Sequence, residues 1–180
     1  DGTIIVPNEG GNTTTLEPNA PAEVEQNGTV TVPNGSNNPT VITPEGTVTL
    51  PNGTIIESAQ NVTVDELGNV TIETPFGSIT VDPEGNVTIP NDGQEDITID
   101  QNGVVTLPNG SEINPEDTPT IDETGKVTIP TGNGSAIEVE KDGTIIVPNE
   151  GGNTTTLEPN APGEIDQDGT VTVPNGSGTP

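Results

Sequence analysis

Histidine, cysteine, methionine, tryptophan, tyrosine and arginine are all absent from this 180-residue chain, and phenylalanine occurs once, at Phe76. Without cysteine there are no disulfides and no thiolate metal sites, and the redox compartment is left open. Without histidine or cysteine the usual nucleophile–base pairs cannot be assembled, so no catalytic residues are expected and the chain is read as not an enzyme. A catalytic carboxylate pair would need low-dielectric cover, which thin aromatic-poor sheets do not supply. Positive charge is almost missing too. Lys126 and Lys141 face 29 acids, for a net charge of −27. Nucleic acid and anionic membranes would be repelled and cations attracted. No apolar run approaches the length that spans a bilayer, so membrane insertion is not expected.

What remains is a lean aliphatic vocabulary. Hydrophobic residues make up 26% of the chain, nearly all of them Val, Ile and Leu, and the β-branched ones favour strands. Low hydrophobicity with high net charge is the composition of disorder. The pattern opposes that reading, since disorder does not require strict alternation with turn residues at fixed offsets. The segment S-I-T-V-D-P-E-G-N-V-T-I-P at 78–90 reads as a complete hairpin. Pro83-Glu84-Gly85 supplies a three-residue loop, with Pro presetting φ and Gly taking the left-handed bulge position. Counting outward sets Asp82 opposite Asn86, Val81 opposite Val87 and Ile79 opposite Ile89. The aliphatics then share one face, with Thr80 and Thr88 on the other.

The same phrase recurs along the chain at two scales. Residues 1–36 return as 142–177, a shift of 141, with differences only at Ala22/Gly163, Val24/Ile165, Glu25/Asp166 and Asn27/Asp168. Within that period runs a shorter unit, G-x-[VI]-[TI]-[VIL], led by Gly2, Gly28, Gly46, Gly68, Gly85, Gly103, Gly125, Gly143 and Gly169. Seven short units make up one long one. Residues 1–141 are therefore read as one long repeat, and 142–180 as the start of the next. Both ends fall in mid-pattern, so a window of a longer array is expected. Each short unit holds two strands. One commonly ends in P-N-G (Pro33, Pro51, Pro108, Pro174), and the other ends in [VI]-[DE]-x-x-G. The segments 9–21 and 150–162, rich in Gly, Asn, Thr and Pro, are assigned to loop or edge strand.

The fold class expected is all-β, without helix: an elongated tandem-repeat array of short strands. An antiparallel hairpin meander is favoured over a parallel β-solenoid, because the Pro-x-Gly loop with its bulge belongs to hairpins. G-T-V-T-L-P-N-G-T at 46–54 resembles the core of hairpin repeats such as MORN, and D-P-E-G-N-V-T at 82–88 resembles the YD-repeat phrase. The aromatics of both families are absent here, so these likenesses imply hairpins and no function. As a whole, on composition and nested repetition, the chain resembles the tandem-repeat proteins from which microbes build extracellular fibrils. That resemblance implies a structural role at or outside the cell surface.

Three constellations could carry chemistry. Acids of the [VI]-[DE]-x-x-G turns, Asp65, Asp82, Asp100, Asp122 and Asp166, would suit Ca²⁺ if neighbouring turns shared an oxygen-only site. The alternative is that each Asp accepts backbone N–H bonds within its own turn. Sequons at Asn12, Asn27, Asn34, Asn52, Asn61, Asn69, Asn86, Asn109, Asn133, Asn153 and Asn175 are candidates for glycosylation along exposed turns, although a chain rich in Asn, Gly and Thr also produces sequons by chance. Thr29/Thr31, Thr47/Thr49 and Thr170/Thr172 form Thr-x-Thr pairs. Such a face resembles that of β-solenoid ice-binding proteins, but Asn69, Asn86, Val104 and Lys126 interrupt the lattice.

A sheet with Val, Ile and Leu along one face must close on itself or meet another sheet, since each exposed Val or Ile forfeits roughly 1.5–3 kcal/mol. The expected function is thus a structural subunit of an extracellular fibre (matrix, stalk or surface filament) built from tandem β repeats. Its partner would be the protein itself, through lateral or end-to-end β packing, with glycans as possible decoration. The alternatives are a calcium-rigidified spacer of a cell-surface adhesin and, behind it, an ice-binding surface.

Overall fold

The computed structural model describes residues 2–35, 38–57, 59–92, 95–132, 134–149, 152–159, 161, 163–166 and 169–173. The chain is all-β. It opens with strands β1 (Ile4–Pro7), β2 (Thr13–Leu16), β3 (Glu23–Val24) and β4 (Val30–Val32). Next come β5 (Thr40–Ile42), β6 (Val48–Thr49), β7 (Ile55–Ile56), β8 (Val62–Val64), β9 (Val70–Thr74) and β10 (Gly77–Val81). They are followed by β11 (Val87–Ile89), β12 (Ile97–Ile99), β13 (Val105–Thr106), β14 (Glu112–Ile113), β15 (Thr120–Ile121), β16 (Val127–Pro130) and β17 (Ala136–Val139). The last four are β18 (Ile145–Pro148), β19 (Thr154–Leu157), β20 (Glu164–Ile165) and β21 (Val171–Thr172). Among the described residues the one helical element is a single 3-10 turn at Glu9–Gly11.

Sheet order follows chain order almost throughout. One sheet has nine strands, β1-β2-β8-β9-β10-β11-β12-β13-β14; two have five, β3 to β7 and β15 to β19; β20 and β21 make a pair. Every pairing is antiparallel except β2 with β8, which run parallel with Thr14 beside Val62 and Leu16 beside Val64. The meander is therefore the architecture, with one parallel seam where the chain returns past β3 to β7.

The hairpin read at 78–90 forms in the expected register, Val81 opposite Val87 and Thr80 opposite Thr88. Asp82 N–H donates to the Asn86 carbonyl at 3.0 Å and Gly85 N–H to the Asp82 carbonyl at 3.0 Å. The same pair of bonds closes the turns at Glu25, Asp65, Asp100, Asp122, Glu140 and Asp166. Pro-x-Gly loops at Pro44, Pro51, Pro75, Pro83 and Pro108 each join consecutive strands.

Two sequence expectations need correction. The Pro33 turn is not a tight hairpin: Val32 pairs with Thr40 across a longer loop, and Gly35 N–H reaches instead to the Pro83 carbonyl at 2.6 Å. The Pro174 turn lies outside the described residues. Within 9–21 the stretches on either side of β2 lie outside any strand, but β2 itself is no edge, because it is paired with both β1 and β8; its copy β19 does end its sheet. Three consecutive threonines hid the alternation of β2. Thr14 is fully buried, which a threonine tolerates only with its hydroxyl partnered, and Asn8 Nδ2 donates to it at 3.0 Å.

The aliphatic face closes within this one chain. Residues from all four sheets, from Val6 to Ile165, join a single buried cluster that includes Phe76. Burial alternates residue by residue, as in Val87-Thr88-Ile89, where only the threonine reaches solvent. The company these ribbons need is supplied by other repeats of the same molecule.

Candidate functional site

Four of the five candidate calcium aspartates, Asp65, Asp82, Asp100 and Asp122, turn their carboxylates into their own hairpin loops. Asp82 Oδ1 accepts the N–H groups of Glu84 and Asn86 at 3.0 and 2.8 Å, and its Oδ2 accepts Asn86 Nδ2 at 2.8 Å. Asp65 repeats this with Leu67, Asn69 and the Asn69 amide. Asp100 binds the N–H groups of Asn102 and Val104, and Asp122 those of Thr124 and Lys126. In the Asp166 turn the two backbone bonds are formed, while residues 167 and 168 lie outside the described set. Where the first position is Glu or Leu, the acceptor moves two places on. Asn27, Asn52, Asn109 and Asp142 then take the N–H that follows the glycine, at 2.9 to 3.1 Å. A short acid or amide thus recurs in these loops without being required by them, since the turn at 43–47, which has neither, closes by the same two backbone bonds. No three acids gather around a common point among the described residues.

At Asp65, Asp100 and Asp122 the carboxylate is held below its ordinary range. The Asn69 side chain lowers Asp65, and the Thr124 hydroxyl lowers Asp122. At Asp100 burial pushes upward but is outweighed by the N–H of Val104 and the Asn102 amide. A depressed folded-state pKa means that folding favours the ionised form. Its contribution is present above the unfolded value, about 3.9, and is lost as pH falls through the folded ones. Self-repulsion of the acidic surface acts the other way and weakens as acids protonate. Thermal midpoints followed by circular dichroism are expected to rise from pH 7 toward about pH 4.5 and to fall steeply below about pH 3.5. Asp100→Asn should flatten that acid limb. A midpoint declining steadily from pH 8 downward would contradict this balance.

The two lysines sit in partly exposed ion pairs, Lys126 with Glu138 and Lys141 with Asp92, both at 3.3 Å. Among the sequon residues, Asn27, Asn61 and Asn153 are exposed, and Asn12, Asn34 and Asn52 are partly covered. The Nδ2 atoms of Asn69, Asn86 and Asn109 donate to Asp65, Asp82 and the Gly163 carbonyl. A glycan on any of those three would have to be fitted beside a nitrogen that already donates a hydrogen bond. Asn133 and Asn175 lie outside the described residues. Threonines do align, but across strands rather than along them. Thr15, Thr63, Thr71, Thr80, Thr88, Thr98 and Thr106 form one unbroken row over seven strands of the nine-stranded sheet. Reading along each strand missed this row because only the hairpin registers bring its members together.

The remaining feature is the set of sheet edges. The β1–β2 hairpin and its copy β18–β19 are built alike: Ile4 and Ile145 face Leu16 and Leu157, and Asn149 Nδ2 donates to Thr155 Oγ1 at 2.9 Å as Asn8 does to Thr14. Their surroundings differ. β18 is flanked by β17, with Val139 opposite Ile145, whereas among the described residues no strand pairs with the corresponding side of β1. β2 is flanked by β8, whereas among the described residues no strand pairs with the corresponding side of β19. The sequence places 150–162 in loop or edge strand, and β19 does end its sheet among the described residues; it names no edge at β1.

No family model and no curated protein matches this chain. Among solved structures it is similar to the G-box domain of the microcephaly protein CPAP, at 17% identity and TM-score 0.22 over 99% of this chain and 96% of that one. It is also similar to the TCP10 domain of Danio rerio CPAP, solved with a peptide of Danio rerio STIL, at 17% identity and TM-score 0.22 over 95% and 97%. Likeness at that TM-score carries no argument about this chain.

Proposed function

We propose that the chain is a structural subunit of an extracellular fibre made of tandem β repeats. One observation carries the reading: the same hairpin is flanked on one side in its first copy and on the other side in its second. Put together, the two copies describe a unit with neighbours on both sides. Such a unit has no built-in stop, and a further repeat adds strands without altering any turn. The acidic turns and the threonine row make the outer surface hydrated and mutually repulsive, which keeps neighbouring fibres apart. In this fibre calcium is assigned no part in holding the turns, a reading supported by the backbone N–H groups that bond Oδ1 of four of the aspartates.

Negative-stain microscopy with and without EDTA tests this. Filaments of uniform width are expected in both conditions. Isolated particles at every concentration would overturn the fibre, and filaments that dissolve in EDTA would favour a calcium-rigidified spacer.

A further inference from the structure

Two strands come back beside a strand formed much earlier in the chain, and only one of them zips onto it. β8 returns to β2 and forms a parallel ladder, with Thr14 beside Val62 and Leu16 beside Val64. β15 returns to β7, where the Thr54 hydroxyl donates to the Pro119 carbonyl at 3.0 Å. Beyond that bond, no strand pairing joins β7 to β15 among the described residues. A cleft of about 590 Å³ lies there, lined by Ile55, Glu57, Thr120, Ile121, Asp122 and Glu123. None of the six belongs to the duplicated segments 1–36 and 142–177.

The cleft combines an apolar surface, an anionic rim and two strand edges. Ile55 is 50% exposed, beside the buried Ile121. Glu57 and Glu123 are exposed and hold no hydrogen-bond or ion-pair partner among the described residues. Asp122 uses only Oδ1 within its own turn. Leu50 N–H donates to the Thr54 carbonyl, and Asp122 N–H to the Lys126 carbonyl. Antiparallel ladders alternate, so the N–H and C=O groups of Ile55 and Ile121 point away from β6 and β16. No lysine of the chain is spare for the acids, since Lys126 and Lys141 already pair with Glu138 and Asp92. A second copy of the chain would bring more acid, and nucleic acid or anionic lipid more negative charge.

We propose that this cleft binds an extended segment of a partner protein that carries an aliphatic residue and a lysine or arginine two places apart. That spacing is set by the host. Ile55 and Glu57 are two places apart and share one face of β7, so a guest strand laid alongside meets them with every second side chain. The guest's aliphatic side chain covers Ile55, and its cation meets Glu57 and Glu123. Its backbone bonds to the free sides of Ile55 and Ile121 in the manner of an added strand. Complementary charge brings the guest in, and the aliphatic contact distinguishes it from a bare cation. The proposal goes beyond the fibre reading and stands independently of it.

The test titrates the full chain with the peptide Thr-Val-Thr-Lys-Thr-Val-Thr-Lys in about 0.15 M salt, where diffuse attraction is screened. Amide resonances of residues 55–57 and 120–123 are expected to shift and saturate. Glu57→Gln with Glu123→Gln should weaken binding about tenfold, and Ile55→Thr, a strand former at an exposed position, about threefold. Glu66→Gln with Glu84→Gln removes the same charge from exposed turns outside the cleft and should change affinity less than about twofold. Equal weakening by the two glutamine pairs would reduce the effect to a general acidic surface and overturn the proposal. So would equal binding of a peptide with glycine in place of valine, which would leave only a cation, or with glutamate in place of lysine, which would point to a second copy. Should a variant fail to fold, the unaltered chain still decides: no saturable shift at 55–57 and 120–123, or shifts centred elsewhere, overturns the proposal. Filaments, present or absent, leave this outcome untouched.

Discussion

Ile145→Ala is expected to destabilise the chain by about 2–4 kcal/mol, and Ile4→Ala, the same substitution 141 residues earlier, by less than about 1 kcal/mol. Both residues sit in the phrase Gly-Thr-Ile-Ile-Val-Pro-Asn and both face a leucine across the hairpin. Ile145 also packs beside β17 and is sealed; Ile4 has no strand on that side. Truncating Ile145 leaves a cavity that surrounding strands, pinned by their ladders, fill only partly. Truncating Ile4 removes a side chain that water already reaches. Urea unfolding of the two variants measures the difference directly. Equal losses would show that the strand beside Ile145 is not what makes the two sites differ.

Gly125→Ala is expected to cost about 3 kcal/mol, and Gly103→Ala about 1 kcal/mol, although both glycines occupy the same position in the same turn. Their φ angles are identical at +89°, so the strain of placing an L residue in the left-handed region is common to both. A Cβ at Gly103 would meet nothing within 4 Å. At Gly125 it would fall 2.8 Å from Cγ of the Phe76 ring, which is buried. The excess is the penalty of pushing the one aromatic side chain off its seat. Combining Gly125→Ala with Phe76→Leu should recover part of that excess and thereby assign it to the ring, and thermal unfolding of the four variants provides the cycle. No recovery would move the origin of the effect into the backbone.

The local turn was legible in residues alone. D-P-E-G-N between alternating aliphatics requires a bulged hairpin: the glycine permits the left-handed position, the proline presets φ, and the aspartate satisfies two loop N–H groups. The same logic carried the all-β architecture and the period of 141. The candidate site was legible only as chemistry. Asp65, Asp82, Asp100 and Asp122 are short acids at fixed places in a turn, but whether their oxygens face a neighbour's acids or their own backbone depends on how turns are spaced in three dimensions.

Thr14 shows where reading by residue type stops. Its neighbours are threonines as well, and only the parallel contact with Val62 and the hydroxyl bond from Asn8 distinguish the buried one from the two half-exposed ones. By itself, then, the sequence of this protein determined the turns, the alternation and the repeat, because each of these is written within a few residues of one hairpin. Which edge of each hairpin is covered was decided by the tertiary structure, since a strand with two faces and two edges carries in its own side chains a record of the faces only. Backbone N–H and C=O groups are the same at every edge, and they accept whichever strand the rest of the chain brings alongside.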